Sequence, residues 1–380
     1  MKIEQITVAD IRTIGPMLDP LVAIAPNLIF VFGAPAFFSS NALATELRQR
    51  FPDAIVIGCS TAGEVSMRGV DDDSAVITAV SLKDARLRSG STDLANMMDS
   101  REAGKRLAES VRMPDLSAVL VFGQGINING SALVEGMTEI LGAGIPITGG
   151  LAGDNGAFVK TWTLGAEGVS DRAIVAVGIA GEGIRVGHGS FGGWEPFGPA
   201  RKITRCIDNV LYELDGEPAL DVYKRYLGEY AEQLPASGLL FPFAMLGNDL
   251  SADGLIRTIL GIDEGQGSVT LAGEIREGSY LKLMHASTDA LVDGAEHAAV
   301  DAAAMNAGQG QRLALLISCV GRKLVMGDRT DEEIEAVASV LGRDTIRTGF
   351  YSYGEISPFA KGVSCQLHNQ TMTITTIADS

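Results

Sequence analysis

Residues 55–65 read IVIGCSTAGEV, an apolar run that ends in a glycine and an acid. A second apolar run precedes it, because residues 27–35 read NLIFVFGAP and also end in a glycine turn. Between the two runs, residues 42–50 have apolar side chains at helical spacing. Short apolar runs bounded by glycine turns are typical of buried strands. The stretch therefore predicts a strand–helix–strand unit.

The same pattern recurs ninety residues further along the chain. Residues 30–33 (FVFG) correspond to residues 120–123 (LVFG), and residues 62–64 (AGE) correspond to residues 152–154 (AGD). In each copy, two further predicted strands joined by a short polar turn follow. Self-similarity at a fixed spacing indicates a repeated structural unit. We therefore expect two copies of one strand–helix–strand–strand unit.

A third copy lies near the end of the chain. Residues 313–320 form an apolar run, and Thr330 with Glu333 three residues later has the spacing of a capping box at a helix start. Residues 346–356 read IRTGFYSYGEI and align with IVIGCSTAGEV, while residues 371–377 alternate as a closing strand. The segment AGEI at residues 272–275 is a candidate for a fourth, more diverged copy.

These repeats predict the fold class and the domain organisation. We expect an α/β fold with mixed sheets built from repeated strand–helix–strand–strand units, in two parts. The predicted boundaries are an N-terminal extension over residues 1–26, an N-terminal domain over residues 27–215 and a C-terminal domain over residues 216–380. The repeated glycine–acid junctions are interpreted either as turns or as strand ends that point at one cleft.

Composition and charge restrict the partners. The chain has 380 residues, 46% of them hydrophobic and 20% charged, so extended disorder is not expected. A net charge of −17 repels phosphate groups, so neither nucleic acid nor an anionic membrane is an expected partner. We recognise no signal peptide and no apolar run that could span a bilayer. The four cysteines show no metal-ligand spacing, and a reducing cytoplasm is the expected location.

Four ordered motifs resemble those of FIST proteins, a family of sensory modules with an N-terminal and a C-terminal part. The resemblance implies an intracellular input module of signal transduction that binds a small ligand. It extends from residue 27 to the end of the chain. The motifs are IGCSTAGEV (57–65), LLISCVGRK (315–323), FYSYGEISP (350–358) and CQLHNQT (365–371).

Two further segments resemble the stand-alone FIST proteins that sense nitric oxide through bound haem and regulate a histidine kinase. They are GHGSFGGWEPFGP at residues 187–199 and NVLYELDGEPALDVYKRYL at residues 209–227. The resemblance implies haem b as cofactor, nitric oxide as ligand and a cytoplasmic histidine kinase as partner. We recognise no kinase or receiver domain in the chain, so output is expected to pass through that partner. A homo-oligomer is one alternative for the quaternary state.

Histidine is the usual axial ligand of haem iron, and the chain contains four histidines. His188 lies between two glycines, which would let a planar ring approach, and it precedes Phe191 and Trp194, which could form the walls of a haem slot. His188 is therefore the first candidate for the iron ligand. His368 and His285 are the next candidates, and the fourth histidine is expected to be solvated.

Two alternatives do not involve haem. In the first, the chain senses a small organic ligand such as an amino acid, held by Arg322, Tyr353 and Glu355 at the mouth of an apolar pocket that Cys59 lines. In the second, Cys59 is the nucleophile of an enzyme. The repeat argues against catalysis, because the other copies have no cysteine at that position. We therefore expect a sensor without enzymatic activity.

Overall fold

The computed structural model describes residues 1–247, 250, 252–306, 311–358 and 365–379, and strands dominate its architecture. In chain order the strands are β1 (Lys2–Val8), β2 (Leu28–Gly33), β3 (Ile55–Ser60), β4 (Glu64–Ser66), β5 (Gly69–Asp71), β6 (Ala75–Ser81), β7 (Arg86–Asp93), β8 (Leu116–Gly123), β9 (Ile147–Leu151), β10 (Thr163–Gly165), β11 (Gly168–Ser170), β12 (Ala173–Ala180), β13 (Ile184–Phe191), β14 (Glu195–Ile207), β15 (Val210–Leu214), β16 (Glu217–Pro218), β17 (Phe243–Leu246), β18 (Ala252–Arg257), β19 (Ile259–Asp263), β20 (Ser268–Leu271), β21 (Tyr280–His285), β22 (Leu313–Cys319), β23 (Ile346–Ser352), β24 (Gly354–Pro358), β25 (Cys365–His368) and β26 (Met372–Asp379).

Helices pack on the outer faces of the sheets with their apolar sides inward. Among the residues that the structure describes, no helix is both long and apolar enough to cross a membrane. The helices are α1 (Ile14–Met17), α2 (Asp19–Val22), α3 (Ala42–Arg50), α4 (Ser100–Val111), α5 (Gly130–Leu141), α6 (Ala219–Leu227), α7 (Thr288–Met305), α8 (Val320–Met326) and α9 (Asp331–Leu341).

Three six-stranded sheets follow one plan. Each contains a parallel pair, β2–β3, β8–β9 or β22–β23, and an antiparallel neighbour, β6, β12 or β26, beside the first strand of the pair. Their strand orders are β1-β6-β2-β3-β10-β11, β25-β24-β9-β8-β12-β7 and β13-β26-β22-β23-β4-β5. The predicted α/β fold with mixed sheets from repeated units is confirmed. We call residues 28–93, 116–191 and 313–379 the first, second and third units.

The three units exchange strands. β4 and β5 of the first unit extend the sheet of the third, β10 and β11 of the second extend the first, and β24 and β25 of the third extend the second. β7 and β13 also pair with the next unit. Residues 1–26, predicted as an extension, supply β1, which pairs with β6. The amino group of Met1 lies 2.7 Å from the Asp379 carboxylate, so the chain ends meet.

The inner faces of the three sheets share one apolar core. Phe32, Phe122 and Phe350 contribute one fully buried ring from each unit, with ring centroids 4.9–6.0 Å apart. Each parallel pair carries one of these rings, on its first strand in two units and on its second strand in the third. The cross-strand partners are Cys59 for Phe32, Gly150 for Phe122 and Ile317 for Phe350.

A fourth sheet, built from residues 195–285, is inserted between the second and third units. Its antiparallel order is β18-β17-β21-β14-β15-β20-β19, with β16 beside β15 and α6 packed against it. Residues 272–275 lie in the connection between β20 and β21. The prediction of a fourth copy there is therefore wrong, because the segment belongs to an antiparallel sheet and forms no strand–helix–strand unit.

Close backbone contact within the parallel pairs requires glycine at three equivalent positions. A Cβ atom added to Gly58, Gly149 or Gly349 would lie 1.8, 1.9 or 1.7 Å from a backbone carbonyl oxygen of the neighbouring strand. The carbonyl oxygen and the glycine Cα that would carry the Cβ both belong to the backbone of buried strands, so neither can move without separating the pair. These glycines therefore set the spacing of the strands that carry the central rings.

The variant Gly349→Ala is expected to lower the free energy of unfolding by about 2–3 kcal/mol or more, because the added methyl group forces the strands apart. Gly144→Ala is the control, since Gly144 is exposed and its Cβ would meet no atom within 4 Å. Urea unfolding followed by circular dichroism measures both variants. Equal stability of Gly349→Ala and Gly144→Ala would contradict the close contact.

Candidate functional site

Strand pairing shows that the second unit departs from the repeat after its parallel pair. Cys59, Gly150 and Phe350 occupy equivalent positions on the second strands of the three parallel pairs. Their partners on the neighbouring strand are Thr163, Glu355 and Glu64 in that order, so the second unit has a threonine where the others have glutamate. The sequence alignment of Asp154 with Glu64 is therefore wrong. An insertion over residues 152–162, between β9 and β10, displaced the alignment.

The two glutamates are buried inside the junctions and do not point at one cleft. Each accepts hydrogen bonds from a hydroxyl group three residues earlier and from the N–H and hydroxyl groups of the residue just before the next long strand. Because neither side chain is exposed or has a cationic hydrogen-bond partner among the described residues, burial raises the pKa of both to about 7. The donors are Thr61 and Ser74 for Glu64, and Ser352 and Thr371 for Glu355.

The insertion of the second unit forms a loop that is held by hydrogen bonds to one carboxylate. The Asp154 carboxylate accepts hydrogen bonds from the backbone N–H groups of residues 158–160 at 2.7–2.8 Å, and from the Tyr353 hydroxyl. The Tyr353 ring stacks on Phe158 with centroids 4.0 Å apart. These contacts leave Phe158 37% exposed and Val159 75% exposed. Two apolar side chains are thus held in solvent by a rigid loop.

These side chains line a cleft of about 550 Å³ between the second unit and the fourth sheet. One wall consists of the insertion and the loop before α5, and the other consists of Asp208, Asn209, Leu260 and residues 271–274. Several exposed apolar side chains gather in this cleft, as is common at binding sites. Those that line the cleft are Met97, Met98, Phe158, Val159 and Leu260.

Amide and carboxylate groups complete the cleft. The Asn129 side chain caps α5 by accepting from the Ala132 N–H at 3.0 Å, and its Nδ2 donates to Glu274 Oε1 of the opposite wall, also at 3.0 Å. Asp208 and Asn209 form the two-residue turn between β14 and β15, with Asp208 at a positive φ of 52°. An apolar cleft with a few convergent polar groups is the usual form of a small-ligand site.

Arg322, predicted to hold a ligand carboxylate, is fully buried and engaged within the protein. Its guanidinium forms an ion pair with Glu333 at 2.7 Å and donates to the Leu291 carbonyl at 2.8 Å and the Ser318 hydroxyl at 3.2 Å. Glu333 is therefore not the capping-box partner of Thr330, as the spacing suggested. The pair fastens α8 to α9 instead, because a buried charge needs a partner of opposite sign.

Cys59 lies in the central core, fully buried opposite Phe32. Burial raises the pKa of its thiol well above the ordinary value, which keeps it protonated and unreactive. Its small side chain leaves room for the Phe32 ring. Of the predicted ligand-binding residues, Tyr353 alone supports the cleft directly, through its stacking on Phe158.

His188 lies within β13, although the sequence suggested a turn or strand end. It pairs with Thr375 and is 7% exposed. Its flanking glycines pack against α7, since a Cβ on Gly187 or Gly189 would lie 2.3 or 2.0 Å from a carbonyl oxygen of that helix. The two glycines therefore allow α7 to pack closely against β13, and the helix leaves no room for a porphyrin ring on the glycine face of the strand. Burial lowers the pKa of His188.

The other predicted haem residues are dispersed. His368 is fully buried, with Nε2 2.9 Å from the Ser357 carbonyl oxygen, and burial lowers its pKa to about 4. His285 is exposed at the end of β21, Phe191 is 44% exposed, and Trp194 is buried in an apolar cluster that includes residues of α7. The predicted set does not fit one haem slot. In the described part of the chain, no group of three or more His, Cys, Asp or Glu side chains could hold a metal ion.

Most of the cleft residues lie outside the motifs that the sequence repeats. The two signals that could have found the cleft were the adjacent apolar residues Met97 and Met98 in a polar segment, and the greater distance between β9 and β10 in the second copy. Both signals mark a departure from the repeat, whereas the predicted site residues lie in segments chosen for their motifs or their histidines.

The variant Arg322→Met is expected to lower the free energy of unfolding by about 3–5 kcal/mol, because it leaves the Glu333 carboxylate buried without its partner. The double variant Arg322→Met/Glu333→Gln should recover part of that loss. The control Arg225→Ala removes an exposed ion pair with Glu217 and should change stability little, because solvent screens an exposed pair. Chemical unfolding curves measure all three, and an equal cost for Arg322→Met and Arg225→Ala would contradict the buried pair.

The variant Glu355→Gln is expected to change how stability depends on pH. Wild-type Glu355 keeps its proton in the folded state up to about pH 7, whereas a carboxyl with the ordinary pKa of 4.5 loses it earlier. Its contribution to stability is therefore present at low pH and falls by about 3 kcal/mol as pH rises from 4.5 to above 7. Relative to wild type, Glu355→Gln should gain stability across that range. Exposed Glu335→Gln is the control, and parallel pH curves for all three proteins would refute the shift.

Comparison with known proteins places the chain in a family. The FIST N domain matches residues 27–217 and the FIST C domain matches residues 219–358, which together cover most of the chain. An uncharacterized protein of Methanocaldococcus jannaschii is 28% identical over 201 residues. That match covers 49% of this chain and 38% of the length of the relative.

A solved structure, cyanuric acid hydrolase from A. caulinodans, aligns over 99% of both chains at 11% identity, with a TM-score of 0.37. A similarity at this level carries no argument about function. The two domain matches identify the family, because they cover both parts in the order that the motifs predicted. FIST domains are sensor domains of signal transduction. The chain belongs to the FIST family.

Proposed function

We propose that this protein is a sensor whose small ligand binds in the cleft between the second unit and the fourth sheet. The observation that carries the proposal is the gathering of exposed apolar side chains, among them Phe158 and Leu260, where the second unit departs from the repeat. Exposing apolar side chains to water is unfavourable, so a site that presents several in one concave surface is suited to bind a ligand.

The position of the cleft supports a signalling role. Its walls belong to different sheets, and Asn129 and Glu274 form a direct hydrogen bond across it. A ligand that contacts both walls favours one relative arrangement of the second unit and the fourth sheet over others. That differential contact is what a sensor needs to change the surface offered to a partner. The proposed partner is a cytoplasmic histidine kinase, as the family resemblance implies.

We propose binding without catalysis. Cys59, the candidate nucleophile, is enclosed in the central core, and its raised pKa disfavours the reactive thiolate. A substrate would have to open the packing of three sheets to reach its sulfur. Alkylation with iodoacetamide in native buffer, followed by mass spectrometry, tests this proposal, and fast modification of Cys59 would contradict it.

Haem b with nitric oxide as ligand is the second candidate. One observation favours it: His297, the fourth histidine, is exposed beside Phe191, with ring centroids 5.0 Å apart, and its Nδ1 lies 2.8 Å from the Asp293 carbonyl oxygen. This contact orients the ring and leaves Nε2 available to a metal. Such a haem would bind on the surface of α7. A stoichiometric Soret band that is lost in His297→Ala supports this candidate, and no haem uptake rejects it.

The cleft is tested by a compound screen on two matched variants. Leu260→Arg places a long side chain in the cleft, and the control Leu324→Arg places it at an exposed site on α8; the original leucines are 47% and 53% exposed. Compounds that raise the melting temperature of wild type should also stabilise Leu324→Arg, and should bind Leu260→Arg at least about tenfold more weakly, a loss of about 1.4 kcal/mol. Equal stabilisation of both variants would contradict the cleft.

A further inference from the structure

We propose that the cleft selects a ligand with a positively charged amine and an apolar body, an inference that rests on the proposed function of the cleft. Its titratable lining consists of two carboxylates, Asp208 and Glu274, and no lysine or arginine is among the lining residues of the described chain. Three asparagines, at positions 127, 129 and 209, add amide oxygens that accept hydrogen bonds from an ammonium group.

Two cations close in sequence to cleft residues are occupied elsewhere. Arg106 is paired at 2.8 Å with Asp99, which follows Met98, and Lys160, which follows Val159, is paired with Asp171 at 2.7 Å. An anionic ligand would therefore meet two carboxylates with no cation in the lining to balance them. A free amino acid is poorly matched for the same reason, since no lining cation receives its carboxylate.

Arg257 is a cation that contacts the backbone of Glu274. It is 4% exposed behind Gly273, and its guanidinium donates to the backbone carbonyls of Glu274, at 3.3 Å, and of Ile256, at 3.2 Å. It is not part of the lining, and its hydrogen bonds are to main-chain oxygens. Its positive charge weakens the negative potential at Glu274, and its side chain is buried behind the residues that line the cleft.

The N-terminus of α5 also faces the cleft, and a helix N-terminus favours anions. Its effect is equivalent to about half a positive charge, and Asn129 already caps one of its N–H groups. Glu274, bonded to the same Asn129, is the anion that this end already holds. Against two full carboxylates, the helix therefore leaves the cleft clearly negative.

The apolar part of the ligand is defined by the opposite side of the cleft. Met97, Met98, Phe158 and Val159 are exposed there, and the Phe158 ring is fixed by its stacking on Tyr353. An aromatic or branched alkyl group can pack on this surface while the amine reaches Glu274 or Asp208. Methionine side chains adapt to ligands of different shape, so the charge should be recognised more strictly than the apolar body.

The test uses three probes of similar shape: 2-phenylethylamine, 2-phenylethanol and 3-phenylpropionate. Dissociation constants are measured by ligand-observed NMR on the full-length protein at low and at high salt. The amine should bind at least about tenfold more tightly than the alcohol and the carboxylate. Its affinity should fall with added salt, whereas that of the alcohol should not, because salt screens exposed charges.

The variant Asp208→Asn/Glu274→Gln should reduce the affinity for the amine to that for the alcohol and leave the alcohol unchanged. The charge control Glu335→Gln, on α9, should have no effect. If the alcohol or the carboxylate binds as tightly as the amine and Leu260→Arg abolishes this binding, the cleft is a ligand site but the cation inference is overturned. If none of the probes binds, the cation inference is also overturned, and the wider screen decides about the cleft itself.

Discussion

The structure depends on close packing between three parallel strand pairs and the three phenylalanine rings at their centre. Glycines at equivalent positions bring the paired backbones into contact, and each pair contributes one ring to a core with little free volume. The core therefore limits the total side-chain volume that the two strands of each pair can place in it. Where Phe32 and Phe122 occupy the first strand, the second has Cys59 and Gly150, and where Phe350 occupies the second strand, the first has Ile317. This sharing of volume accounts for the small buried side chain of Cys59 opposite Phe32.

The exchange of strands joins the three units into one body. The junctions of the first and third units are closed by buried, hydrogen-bonded glutamates. In the second unit, Thr163 instead donates to a backbone carbonyl, and the insertion before it reaches outward. The fourth sheet lies opposite this insertion. We infer that the repeat supplies a stiff frame and that the departure from it supplies the site.

Sequence patterns predicted the frame well, because a strand buried on both faces reads as a continuous apolar run, as in residues 28–33 and 313–319. They could not predict the partners of the strands, since exchange between units depends on contacts far apart in the chain. Chemical type alone was also a poor guide to the site. Arg322 and His188 were candidates to bind a ligand and haem iron, and both side chains are buried in the packed interior. The cleft residues, such as Val159 and Leu260, have no distinctive chemistry, and their proposed role follows from where the fold brings them together.

Hydrogen–deuterium exchange with and without a compound that stabilises the protein tests directly whether the cleft is the ligand site. The compound is expected to slow exchange in residues 125–130, 158–159 and 271–274, which lie in the two walls of the cleft. The corresponding junctions of the other units, at residues 61–64 and 352–355, should be unaffected. Protection centred on those junctions or on α7, with no change in the cleft walls, would contradict the claim that the second unit carries the site.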